Sequence, residues 1–399
     1  MLDRSLLDPG GRLQLVGHRG GASGNELHGL RADLSDAFAD DAPTIELVDT
    51  ADAVDADLVV MIAGATVSTD PGANVDRAAL AATNRAMFEQ YADALAARPG
   101  PAPLVIVQSN PVELGVAVFA ERLGRHRVVG AGAWSDTLRF RREIADGLGV
   151  RRNAVHAAMI GQHGDHLVPV WSRVRVDGVE DAVLQAWLAG QRQGRTVSGL
   201  PAELVAERGR LLAMVAAGDV AGAFAAVAEL PADLRAALKP FLVHYTAGHT
   251  TEIVTAHSVV DLIAVAMRGD DVLRPLQVRL DGEVEGLSGV LGVPVLFGPA
   301  GWQWHSPPAI EDDERQAMLT SAAAIAVVTG IGPGPSPAER AATRPTSGWA
   351  GRLGDAGCLV VAARQAVHSE GLVPAERTGQ ESLRSGWRAG MRTVEPQCW

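Results

Sequence analysis

Cysteine is nearly absent from this 399-residue chain: there are two, Cys358 and Cys398, both close to its end. A disulfide framework or a cysteine zinc site in the body is thereby excluded, so chemistry there must use other groups. Long hydrophobic runs are missing too. No stretch reaches the roughly eighteen apolar residues that a membrane helix needs. Residues 1–30 also lack the basic start and apolar run of a secretory signal, so a cytoplasmic location and no membrane partner are expected. Positive charge is in deficit: 35 Lys plus Arg face 47 Asp plus Glu, for a formal net charge of −12. A nucleic-acid partner requires a basic face, so none is expected. Residues 332–399 carry eight arginines against six acids, which leaves the rest of the chain more acidic than the total implies. Lys239 is the single lysine, a bias toward arginine without functional content.

What is present is a large apolar fraction, 47%, enough for two cores. In the first third, short β-branched runs bounded by Gly, Pro or Asp read as strands: RLQLVG (12–17), TIELVD (44–49), DLVVMIAG (57–64), PLVIVQSN (103–110) and RVVGAG (127–132). Helical patterns separate several of them, notably at 76–98 and 111–124. Buried strands alternating with helices predict a doubly wound parallel α/β sheet for residues 1–132. From about 133 the pattern becomes mixed α+β, with helices over much of 178–268, strand runs VLRPLQVRLDG and GVLGVPVLFGPAGW, and a last helix at 311–330. Residues 332–399 are rich in Pro, Gly, Ser and Arg without periodicity and read as a mostly disordered tail. Within that tail CLVVAARQAV is apolar enough for a short helix, yet nothing in the tail has the pattern to dock on the body.

The segment IGQHGDH (160–166) follows an apolar run and presents two histidines and an aspartate. A zinc site built on His163, Asp165 and His166 is disfavoured, because zinc wants three or four convergent ligands and no further histidine cluster stands nearby. Taken singly, His163 reads as a turn residue, Asp136 and Arg139 as a helix-surface pair, and SNP as a turn. Their order and spacing carry more. The succession SNPVELGV, RVVGAGAWSDTLRFR and HAAMIGQHGDHLVPVW resembles the lactate/malate dehydrogenase family of 2-hydroxyacid dehydrogenases over roughly residues 12–330.

That resemblance implies a Rossmann-type dinucleotide-binding domain (1–132) followed by an α+β substrate domain (133–331), NAD or NADP as cofactor, no metal, a small 2-oxo or 2-hydroxy acid as substrate, and a homo-oligomer, dimer or tetramer. It assigns His163 as the proton donor and acceptor, with Asp136 fixing its tautomer. Arg139 becomes the bidentate clamp on the substrate carboxylate, a geometry lysine cannot reproduce. Arg77, after the loop GATVSTDPGAN, becomes the cation that polarises the ketone when a lid closes, with Asn110 and Thr251 as further polar contacts.

Three departures qualify the likeness. The family opens with a strand and a Gly-rich turn that hold the pyrophosphate; here the only early glycine cluster, GHRGGASG, follows what matches the second strand, and it reads as a loop. The expectation is that the first βα unit is missing and that the inner edges of RLQLVG and DLVVMIAG stay unpaired unless another segment fills the gap. Where NAD enzymes place a ribose-binding carboxylate, Gly17, His18 and Arg19 stand, which favours NADP over NAD. In the lid, Thr69 and Asp70 occupy the specificity position, so a substrate with a neutral or cationic side chain is expected. The competing expectation is a non-redox paralogue that keeps the 2-oxo acid pocket as a binding or regulatory protein.

Overall fold

A computed structural model describes residues 1–17, 22–65, 77–247, 251–331 and 360–364. The first part follows the predicted alternation: β1 (Arg12–Val16), α1 (Ala22–Ala37), β2 (Thr44–Val48), β3 (Leu58–Met61), α2 (Arg77–Ala97), β4 (Leu104–Val107), α3 (Val112–Leu123) and β5 (Val128–Gly130). β3 and β4 are buried at every position, as strands covered on both faces must be. α2 and α3 pack on each other, with Phe88 and Phe119 in contact at 6.2 Å between ring centres. β1 pairs parallel with β2, β3 with β4, and β4 with β5, which makes this a Rossmann-type α/β unit.

The second part opens with α4 (Gly132–Leu148) and the short strands β6 (Val155–His156), β7 (Met159–Gly161), β8 (Leu167–Pro169) and β9 (Arg175–Val176). Five helices follow: α5 (Asp181–Arg192), α6 (Leu200–Ala216), α7 (Val220–Ala228), α8 (Ala232–Ala247) and α9 (Glu252–Arg268). The hairpin of β10 (Val272–Asp281) and β11 (Ser288–Gly298), the strand β12 (Gly301–Trp304) and α10 (Asp312–Thr329) complete it. GVLGVPVLFGPAGW, read as one strand, is therefore two, turning at 299–300. Sequence predicts a change of architecture near 132, but no break in the sheet occurs there: β10 pairs with β5 through Gln277 and Gly130, and one eleven-stranded sheet runs across both parts.

The centre of that sheet holds the main surprise. Its order is β2-β1-β13-β3-β4-β5-β10-β11-β7-β8, and β13 is Val360–Arg364, from within CLVVAARQAV. The helix considered for this run is corrected to a strand; the remainder of 332–399 lies outside the described residues. β13 runs antiparallel to both neighbours, with Val361 opposite Leu15 on one side and Val60 on the other. A run as short as VVAAR is ambiguous by pattern alone. Two open strand edges settle it, because buried N–H and C=O groups must be paired and the slot supplies partners on both sides. The gap foreseen between β1 and β3 is thus occupied.

Candidate active site

Residues from four elements converge at the carboxyl ends of β4 and β5. α4 begins two residues after β5 and is buried along its first two turns, so Asp136 sits inside the protein at 7% exposure. Asp136 and Arg139, one helical turn apart, form an ion pair at 2.9 Å with both side chains largely covered. The second Asp136 oxygen meets His163 Nδ1 at 2.7 Å. The other arm of the Arg139 guanidinium donates to Thr251 Oγ1 at 2.8 Å, bringing in the residue that precedes α9. Asp136, Arg139, His163 and Thr251, spread over 115 positions of sequence, are one hydrogen-bonded unit.

His163 lies in the turn between β7 and β8. Gly161 and Gly164 shape that turn with φ of +83° and +113°, a region L side chains rarely enter. Ser321 Oγ, from α10, accepts the Gln162 N–H at 2.7 Å. Behind the ring, a Cβ on Gly132 would lie 2.8 Å from His163 Cβ, so only glycine lets the first turn of α4 come this close. Under the turn, the His163 N–H donates to Glu113 Oε1 at 2.7 Å; Glu113 is in the first turn of α3 and only 3% exposed. Sequence reading passed over Glu113, Ser321 and Gly132. Glu113 and Gly132 lay within the quoted motifs, whereas Ser321 carried no signal.

Burial works against charge here, and specific partners reverse it. Desolvation would push the His163 imidazole down, but the Asp136 carboxylate, through its charge and hydrogen bond, holds it above the ordinary histidine value. Burial would push Asp136 up; His163 and Arg139 keep it below the usual carboxylate range. For Glu113 burial prevails and its carboxyl is raised, opposed by the hydrogen bond and charge of His163.

Asn110 follows β4 and is joined by a cis peptide to Pro111; it is exposed, and its carbonyl accepts from Asn84 Nδ2 at 2.7 Å. Ser109 Oγ donates to Ala63 O at 2.5 Å, tying the ends of β3 and β4 together. Gly17 follows β1, its N–H donating to Val48 O. Arg77 begins α2, but its side chain is outside the described part, as are His18, Arg19, Thr69 and Asp70. The carboxylate of Asp165, weighed as a zinc ligand, is paired with Arg208, and His163 Nδ1 with Asp136. Among the described residues no group of three His, Cys, Asp or Glu is arranged to hold a metal ion, and no helix is long and apolar enough to cross a membrane.

Residues 11–130 match the NAD binding domain of lactate/malate dehydrogenase. Over that segment the chain is similar to the lactate/malate dehydrogenase family. It is 35% identical over 158 residues to L-lactate dehydrogenase of Latilactobacillus sakei, a match that covers 39% of this chain and 47% of that enzyme. The chain thus spans about half the length of that lactate dehydrogenase. With malate dehydrogenase of Methanothermobacter marburgensis it is 25% identical over 307 residues, 73% of this chain and 81% of that one. In fold, it is similar to the solved malate dehydrogenase of Plasmodium falciparum, with a TM-score of 0.62 at 19% identity over 83% of this chain and 92% of that one. The malate dehydrogenase of Aeropyrum pernix gives 0.61 at 18% identity, over 82% and 92%. Within the lactate/malate dehydrogenase fold, the unit built on Asp136, Arg139 and His163 lies where α4 and the β7–β8 turn meet.

Proposed function

We propose that this chain is a nicotinamide-dependent 2-hydroxyacid oxidoreductase of the cytoplasm, working as a homo-oligomer. The observation that carries the reading is the continuous hydrogen-bonded unit from His163 through Asp136 and Arg139 to Thr251. With Nδ1 committed to Asp136, His163 Nε2 is the nitrogen that exchanges a proton with the substrate oxygen. Arg139 offers its guanidinium edge to the substrate carboxylate, Thr251 and Asn110 orient the acid, and Arg77 and Thr69 act from the lid. Because partners hold the imidazole protonated above its ordinary range, reduction persists above that range and falls as pH rises through the His163 midpoint.

The residues at the carboxyl end of β4 suit a bound nicotinamide. Gln108 Oε1 is a buried acceptor with no hydrogen-bond partner, two positions before Asn110, and it fits a donor group of a ligand bound there. Gln108 and Asn110 would hold that end, and Gly17, His18 and Arg19 the ribose end, where the missing carboxylate favours NADP over NAD. When bound, the reduced cofactor supplies the hydride. Everything else in the step is the chain's own work: excluding water, gripping the carboxylate, and delivering one proton. The acid accepted is one with a neutral or cationic side chain, given Thr69 and Asp70 in the lid.

One observation favours the second reading, a non-redox 2-oxo acid binding protein. β13 runs opposite to its neighbours, so its own carboxyl end points away from the crevice at the carboxyl ends of β1 and β3, where a pyrophosphate would be cradled. Titration of the purified chain with NADPH and with NADH, followed by nucleotide fluorescence, separates the two. Saturable binding with oxidation on adding a 2-oxo acid is expected; binding of the acid without either dinucleotide would transfer preference to the binding protein.

A further inference from the structure

One buried ionisable group at the site has no part in the chemistry just described. Glu113 is 3% exposed, sits on α3 rather than on either element that bears the histidine pair, and spends a carboxylate oxygen on the backbone N–H of His163. An amide, or a carbonyl, could satisfy that N–H without the cost of burying a carboxylate. We propose that Glu113 is a positioning residue for proton transfer: it anchors the backbone of His163 from below while adding a second carboxylate that favours the protonated imidazole. The inference rests on the role proposed for His163.

The charges around the ring support this. α4 contributes Asp136 and Arg139, α3 contributes Glu113, and the turn contributes His163; Asp165 on the same turn is paired with Arg208 of α6. Gln277 from β10, Ser321 from α10 and Thr251 before α9 are uncharged. Wherever both carboxylates are ionised beside one arginine, the cluster is neutral only when His163 carries its proton. Glu113 then does what Asp136 does for the ring, but through the main chain, so it sets charge without competing for Nδ1. The carboxyl of Glu113 is itself raised by burial and restrained by His163, as expected of two groups that titrate together.

The test is a pair of NMR titrations on the full chain without ligands. With 15N-labelled imidazoles, and the signal of His163 assigned by its loss in His163→Asn, Glu113→Gln should lower the His163 midpoint by roughly one pH unit, because the amide keeps an acceptor for the N–H and removes only the charge. With 13C-labelled Glu side chains in the unsubstituted chain, the Glu113 carboxyl should show a second inflection at the His163 midpoint. That second titration needs no variant and so stands even if Glu113→Gln does not fold. An unmoved His163 midpoint in a folded Glu113→Gln, or a Glu113 carboxyl blind to His163, overturns the proposal. Both signals are read without turnover. A chain that reduces no 2-oxo acid yet shows the coupling would refute the enzyme reading and with it the proton-transfer role, while the electrostatic coupling of Glu113 to His163 would stand. Should reduction be found, the falling limb of kcat/KM in Glu113→Gln should move to lower pH by the same amount as the midpoint.

Discussion

The site and the middle of the sheet are built by opposite means. At the site, Asp136 and Arg139 are one helical turn apart, and residues distant in sequence add to that local pair. In the sheet, β13 pairs with β1 across more than three hundred residues, and nothing local to 360–364 specifies where it goes. Chemistry that needs particular side chains at fixed spacing leaves a mark in sequence. A strand that merely fills a slot does not, since any short apolar run with two open edges to pair with will serve.

The sharpest way to break that comparison is to remove the group proposed to transfer the proton. His163→Asn should lower turnover by roughly 10² to 10⁴-fold while 2-oxo acid binding persists, as general acid–base catalysis supplies that much; retention of a tenth of the parent rate in stopped-flow reduction sinks the role. Next comes the slot. Ala362→Pro places a proline in the middle of a strand paired on both sides, which should cost about 3 kcal/mol or more, a large part of a total near 5 to 15 kcal/mol. Urea unfolding measures it, and an unchanged midpoint would mean that β13 contributes nothing. Truncation before 360, harmless on the sequence reading, should be as damaging.

Smaller effects sharpen the picture. Arg139→Lys retains the charge and loses the bidentate grip, so KM for the 2-oxo acid should rise roughly 10-fold or more with kcat less affected; equal KM values would remove Arg139 from the carboxylate. Gly132→Ala puts a methyl 2.8 Å from His163 Cβ and should cost on the order of 1 to 3 kcal/mol by overpacking while displacing the ring. A crystal structure with the His163 to Asp136 bond unaltered, together with full activity, would contradict this.

Legibility divides along the same line. The alternation in 12–130 and the helices of 178–268 follow from periodicity, and the structure has them within a few residues. Asp136, Arg139, His163 and Thr251 were named from spacing and resemblance, and they do come together. Glu113 was missed because a carboxylate in the first turn of a helix is already accounted for by the helix dipole, and only the folded turn shows its oxygen on the His163 N–H. Ser321 was missed because α10 approaches the β7–β8 turn only in three dimensions. The run at 360–364 was misread because helix and strand compete evenly over five residues and the deciding partners, Leu15 and Val60, lie far away.

The position of β13 also sets a timetable. A chain made from its N-terminus has β1, β2, β3 and β4 emerged long before Val360 leaves the ribosome, so for most of synthesis two apolar strand edges wait without a partner between them. Contacts of such sequence separation form slowly, because the loop must close before any of the ladder is gained. The nascent protein therefore spends its longest exposure in the state most prone to pair with a neighbour, and its yield should depend on holdase chaperones and on low temperature during expression more than its finished stability would suggest.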